Sequence, residues 1–255
     1  MARVTVDRWS PSVALAAPSG RYPARVSDPL MPLLDLAEVA AAVDSARADV
    51  DAAFAHRALR RGGARVAVEV GLRDAVAGAA LSGAGFAVED VRLGTVDDPV
   101  VQAALRIATD LPRLAPRWSA SPPQVLARLD VLAGGDGRPV RAADRVATVL
   151  DVVRTSTAPA LVRAAVVHGE LLATEAFSSG LVARAAGRLT LISAGLDPRG
   201  LLPVSIGHLQ RQPEYVGAAG AFATGTPDGL RSWLKHCAAA VSAAAAELTA
   251  ICEEI

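Results

Sequence analysis

The stretch TEAFSSGLVARAAGRL, residues 174–189, concentrates side chains suited to holding phosphate. Phe177, Ser178, Ser179 and Gly180 run into an alanine-rich helix that carries Arg184 and Arg188. A small-residue turn opening a helix offers free backbone N–H groups and the positive end of the helix dipole, and both favour an anion. Arg184 would add a phosphate ligand or pair with a carboxylate, for which Glu175 is the obvious candidate. Glu175 would act as a general base only with a pKa raised by burial or a like charge. Ser178 and Ser179 fit helix capping better than phosphate ligation.

Other reactive side chains carry less. His168 lies on an apolar helix and reads as a core histidine rather than a general base. His208 and His236 have no carboxylate or cysteine at metal-ligand spacing, so no metal site is expected. The glycine-rich GGDGRPV, residues 134–140, lacks a P-loop lysine and reads as a β-turn or hairpin. Cys237 and Cys252 share one expected helix, roughly 22 Å apart at ~1.5 Å per residue, too far for a disulfide within it.

Composition bounds the class. The 255 residues are 52% hydrophobic but only 4% aromatic, and much of the apolar content is alanine, so the core must come from closely approaching helices. Basic and acidic residues balance at 26 each, which gives no field for nucleic acid or an anionic membrane. Lys235 is the sole lysine, in keeping with a GC-rich bacterial genome. VALAAP is too short for a signal-peptide core, and no run reaches the ~20 apolar residues of a membrane span. The expectation is a cytoplasmic protein.

The elements follow from periodicity. Residues 1–34 carry five prolines and read as a Pro-rich arm, with one short strand at ARVTV, or as a partly disordered leader. Residues 35–255 read as a single helical domain. Asp35 and Glu38 suggest a capping box opening a helix that runs to about Arg60. Further helices are expected at about 66–81, 99–109, 122–134, 142–155, 158–175, 180–194, 211–223 and 228–253. In the last, Leu230, Leu234, Cys237, Val241, Ala244, Leu248 and Ile251 form a heptad seam, suited to a homodimer or to packing within its own domain. No repeat and no strand–helix alternation is visible, so the fold class is mostly all-α, with a short β-hairpin flap at 134–140.

The segment from His168 to Gly195 resembles the core of Fic-domain proteins, which transfer nucleotide monophosphates, usually AMP from ATP, to hydroxyl side chains. Their motif reads H-P-F-x-D/E-G-N-G-R-x-x-R. Phe177 and Gly180 match. Glu175 stands for the histidine, Ala176 for the proline and Ser179 for the acidic residue. With two residues deleted after Gly180, Leu181 replaces the first arginine and Arg184 matches the last. His168, Gly195 and the stretch from His208 to Cys237 resemble flanking markers of the family. GAALSGA resembles its inhibitory segment S/T-x-x-x-E-G/N, within residues 66–84. There Gly78 replaces the hydroxyl residue, Ser82 the glutamate, and Gly83 is retained. Residues 134–140 take the place of the hairpin that lines up target peptides.

The resemblance implies a helical Fic-like fold with a motif loop at 175–184 and altered chemistry. The family histidine is the base toward the target hydroxyl, and its acidic residue holds Mg²⁺. Glu175 would set a negative charge beside phosphates, and Ser179 is a poor sole anchor for a hard cation. The shortened loop loses backbone donors, each worth ~3 kcal/mol in such sites. The expectation is a pseudoenzyme without adenylyltransferase activity or cofactor, working through a protein partner. The alternative is a divergent nucleotidyl or phosphoryl transferase using ATP and Mg²⁺, with Glu175 as base and Ser178, Ser179, Gly180 and Arg184 around the nucleotide.

Overall fold

A computed structural model describes residues 28–255. Alanine loses no side-chain entropy in a helix, so alanine-rich segments between glycine and proline punctuation become helices. Twelve α-helices result among the described residues: α1 (Val39–Phe54), α2 (Ala58–Arg61), α3 (Gly63–Ala80), α4 (Val88–Arg92), α5 (Pro99–Trp118) and α6 (Pro122–Leu132). They continue with α7 (Ala143–Thr155), α8 (Ala160–Ala173), α9 (Gly180–Ser193), α10 (Val204–Gln210), α11 (Gln212–Phe222) and α12 (Pro227–Glu254). A proline occupies the first turn of α5, α6, α11 and α12, where no intrahelical N–H bond is lost.

The long α12 is the axis of the body. It packs against α1 on one side and against α10 and α11 on the other, while α8 pairs with α9 and α3 with α5. Contacts between α5 and α9 and between α3 and α10 join these groups into one core. Small residues set the spacing. A Cβ at Gly207 would lie 2.0 Å from the Ala240 carbonyl oxygen, so α10 meets α12 backbone to backbone. The heptad seam of α12 is covered from within the chain: Leu234, Cys237, Val241, Ala244, Leu248 and Ile251 are all buried. Both cysteines are buried and free.

Several expectations are corrected. Residues 134–140 form turns, and no strand is present among the described residues, so the β-hairpin flap is absent. Asp130 organises this loop instead, since its carboxylate accepts the Gly137 N–H and its carbonyl accepts that of Gly135. The capping box at Asp35 does not form. Residues Met31–Asp35 are a short 3-10 helix, and α1 starts at Val39 because Glu38 is drawn away to Lys235. Helix α5 runs past the expected end at 109 and through Pro112 and Pro116. Burial of Leu111, Leu114 and Trp118 on one face offsets the missing backbone bonds, and the Trp118 indole donates to Thr190 at 3.0 Å. The two short helices α4 and α10 were not expected. The ARVTV strand lies outside the described residues. No described helix is long and apolar enough to cross a membrane.

Candidate functional site

The turn between α8 and α9 holds the central residues. Helix α8 ends at Ala173, and Glu175 takes a left-handed backbone, φ +46°, uncommon for a side chain of this kind. That twist buries Ala176 and Phe177. The Ala176 carbonyl accepts the Val140 N–H at 2.8 Å, which pins the 134–140 loop over the turn. Ser179 is the N-cap of α9, its hydroxyl accepting the Leu181 N–H at 3.3 Å, whereas Ser178 is exposed.

Glu175 and Arg184 do not meet. The Glu175 side chain is 69% exposed and is bound by Arg141. Arg184 turns inward, 7% exposed, and crosses to the end of α3. Its Nη2 donates to the Gly78 carbonyl at 3.0 Å and to the Ser82 hydroxyl. Ser82 in turn donates to the same Gly78 carbonyl at 3.2 Å. Gly83 follows with φ +90°, turning the chain away after α3. The expected Arg184–Glu175 pair is therefore replaced by contacts with neutral acceptors from residues 78 and 82. The cause is the left-handed turn at 175, which points its carboxylate to solvent.

Behind Arg184 lies a polar cluster that the sequence hid. Burial pushes the Tyr215 phenol up, and the nearby Arg184 cation works against that. The Tyr215 hydroxyl bonds His168 Nε2 at 3.0 Å. His208 Nδ1 lies 3.0 Å from His236 Nε2, and the His208 ring stacks parallel to Trp233. Burial holds the pKa of His168 and His208 well below the ordinary histidine range, with nearby cationic groups adding to the effect, and holds His236 at about 4. The Trp233 indole donates to the Ala165 carbonyl at 2.8 Å. These side chains come from α8, α10, α11 and α12, and the hydrogen-bonded pairs His168–Tyr215 and His208–His236 are 47 and 28 residues apart in the chain.

One turn along α9, Arg188 forms a buried ion pair with Asp74, 2.7 Å from Nη1. The other Asp74 oxygen accepts the Ser205 N–H at 2.7 Å, so α3, α9 and α10 meet at one carboxylate. Asp74 follows Arg73 in a helix that also carries Arg65 and Glu69, and nothing local marks it as the partner of Arg188. Among the described residues, no three His, Cys, Asp or Glu side chains converge as metal ligands.

The path of α8, the turn and α9, with α3 laid against the α9 arginine, is that of a known architecture. The described helices match the crystal structure of a Fic family protein from Desulfovibrio desulfuricans G20, with a TM-score of 0.63. The chain has a Fic-like fold. The match covers 82% of this chain and 74% of the other at 20% identity, so the likeness is one of fold. No protein-family model and no curated protein matches the sequence. Within this Fic-like fold, the 175–180 turn sits at the mouth of the helix pair, and residues 78–83 approach the buried arginine from α3.

Proposed function

We propose that this chain is a Fic-like pseudoenzyme: a helical scaffold that has given up adenylyl transfer and acts on a protein partner by binding, in the cytoplasm of a bacterium. The observation that carries this reading is the outward Glu175, exposed and engaged by Arg141. A general base must reach the proton it takes, and this carboxylate is turned into solvent and held by a cation. The supporting facts are the capping role of Ser179, which uses the hydroxyl at the position of the metal carboxylate, and the engagement of Arg184 by Gly78 and Ser82.

Labelled ATP with Mg²⁺ or Mn²⁺ and a cell lysate tests the reading. The expected result is no protein-bound label above that of a heat-denatured control. Label transfer abolished by Glu175→Ala and by Arg184→Ala would overturn it and establish the divergent transferase.

A further inference from the structure

The loop that leads into α7 is fastened to the 175–176 turn by weak contacts. Residues 138–142 are all exposed, so no buried apolar side chain holds this stretch to the body. Two polar contacts hold it instead. Val140 donates its N–H to the Ala176 carbonyl at 2.8 Å, and Arg141 pairs with Glu175. The side chains of that pair are 66% and 69% exposed. A hydrogen bond exchanged with water contributes little, and an exposed ion pair contributes no more and is screened by salt.

Backbone strain sits on both sides of this clasp. Three non-glycine residues among those described have a left-handed backbone, and two of them are Ala142, φ +51°, and Glu175, φ +46°. Such a backbone crowds Cβ against the following carbonyl, a cost of the same order as the two contacts. At the other end of the stretch Gly137 is also left-handed, φ +83°, and the Asp130 carboxylate holds it in place. Beyond Ala142, α7 is anchored by the pairing of Arg145 with Glu170. Residues 138–141 therefore run between two swivel points whose far sides are fixed. Detachment loses two weak contacts and lets Ala142 and Glu175 relax, so the open form lies close in free energy to the closed one. We propose that residues 138–141 are a strap that opens and closes over the 175–176 turn within the folded protein, with the Arg141–Glu175 pair as its latch. Closed, the strap withholds the Glu175 carboxylate and the Ala176 carbonyl; open, it presents both. It rests on the pseudoenzyme reading only in taking that turn as the functional site.

Native-state hydrogen exchange of the full chain tests this at the Val140 amide. Two weak contacts opposed by strain allow a protection below about a hundredfold, whereas amides inside α8 and α9 open only with the whole fold. Raising salt from about 0.02 M to about 0.5 M should speed exchange at Val140 by about threefold and leave α9 unchanged. Arg141→Gln should remove that salt response. Ala142→Gly, which takes the left-handed backbone without a Cβ clash, should slow exchange by about fivefold. Protection above about a hundredfold at Val140 would overturn the strap. So would a salt response that is absent in the parent or survives in Arg141→Gln, or exchange that is unchanged or faster in Ala142→Gly. Labelled ATP reports on the chemistry of the turn and not on this exchange, so the two readings fail separately.

Discussion

The guanidinium of Arg184 donates to the hydroxyl of Ser82, 102 residues away in the chain, and so ties the centre of α9 to the end of α3. Four residues on, Arg188 meets a carboxylate in the same helix α3. The two arginines look alike in the sequence and differ in their partners. Removing one partner of a buried ion pair strands the other charge and costs about 3–5 kcal/mol, whereas removing an ion bound only to neutral acceptors strands no charge. Arg184→Met, which strands no carboxylate, should cost clearly less than Arg188→Met, which strands Asp74 and should lose about 3–5 kcal/mol. Urea denaturation of both variants checks the contrast.

Ser82 is exposed and sits where a longer acidic side chain would face Arg184. Ser82→Glu should stabilise the protein by about 1 kcal/mol, since a charge-assisted hydrogen bond replaces a neutral one. A double-mutant cycle with Arg184→Met should show the gain vanishing.

Acid should unfold the protein steeply. His168, His208 and His236 have folded pKa values below the unfolded value near 6.5. Below pH 6.5 the unfolded chain therefore takes up protons that the fold refuses, and stability falls. Asp197 acts the other way. Burial raises its carboxyl to about 6, so the fold takes its proton before the unfolded chain does. Near pH 5 the balance is about two extra protons on the unfolded chain, or a loss of about 2.7 kcal/mol per pH unit. Urea midpoints between pH 6 and 4.5 measure it. A flat profile would mean that the histidines protonate in place.

Asp28 fastens the first described residues to the loop between α7 and α8. Partial burial opposes its ionisation, but bonds from Leu30 N–H, Thr157 N–H and the hydroxyls of Ser156 and Thr157 outweigh this and hold it at about 2. Its contribution is present above the unfolded pKa near 3.8 and is lost as pH falls through about 2. Asp28→Asn should therefore be less stable than the parent at pH 7, and the gap should close in acid. Hydrogen exchange at residues 28–31 and 156–158 should rise in the variant at neutral pH.

Gly207→Ala places a methyl group 2.0 Å from a backbone oxygen that cannot swing aside. A loss of about 3 kcal/mol or more is expected, in the range of severe overpacking. A melt shifted by less than 3 °C would show that α10 can slide along α12.

Helix starts were legible at Pro99, Pro122, Gly180 and Pro227, but the glycine pair at 62–63 misplaced the end of the first helix, which stops at Phe54 before the separate α2. The short α10 was not, because seven residues give too little period. The site was half legible. Ser179 and Arg184 stand in one local pattern, and local pattern is what a sequence displays. The Arg141–Glu175 and His208–His236 pairs join residues 34 and 28 positions apart, and nothing near either partner announces the other. The Glu175 backbone defeated the simplest guess, that neighbouring opposite charges pair. A left-handed glutamate leaves no mark in composition or spacing.

Helix α9 meets its neighbours through Ala183, Ala185, Ala186 and Gly187, all within a fully buried run. Truncation scanning, the habitual way to find which side chains matter, has nothing to remove there and would return silence from the most crowded part of the molecule. The sensitive perturbation is enlargement. A valine scan along α8 and α9 would map the contacts that an alanine scan passes over.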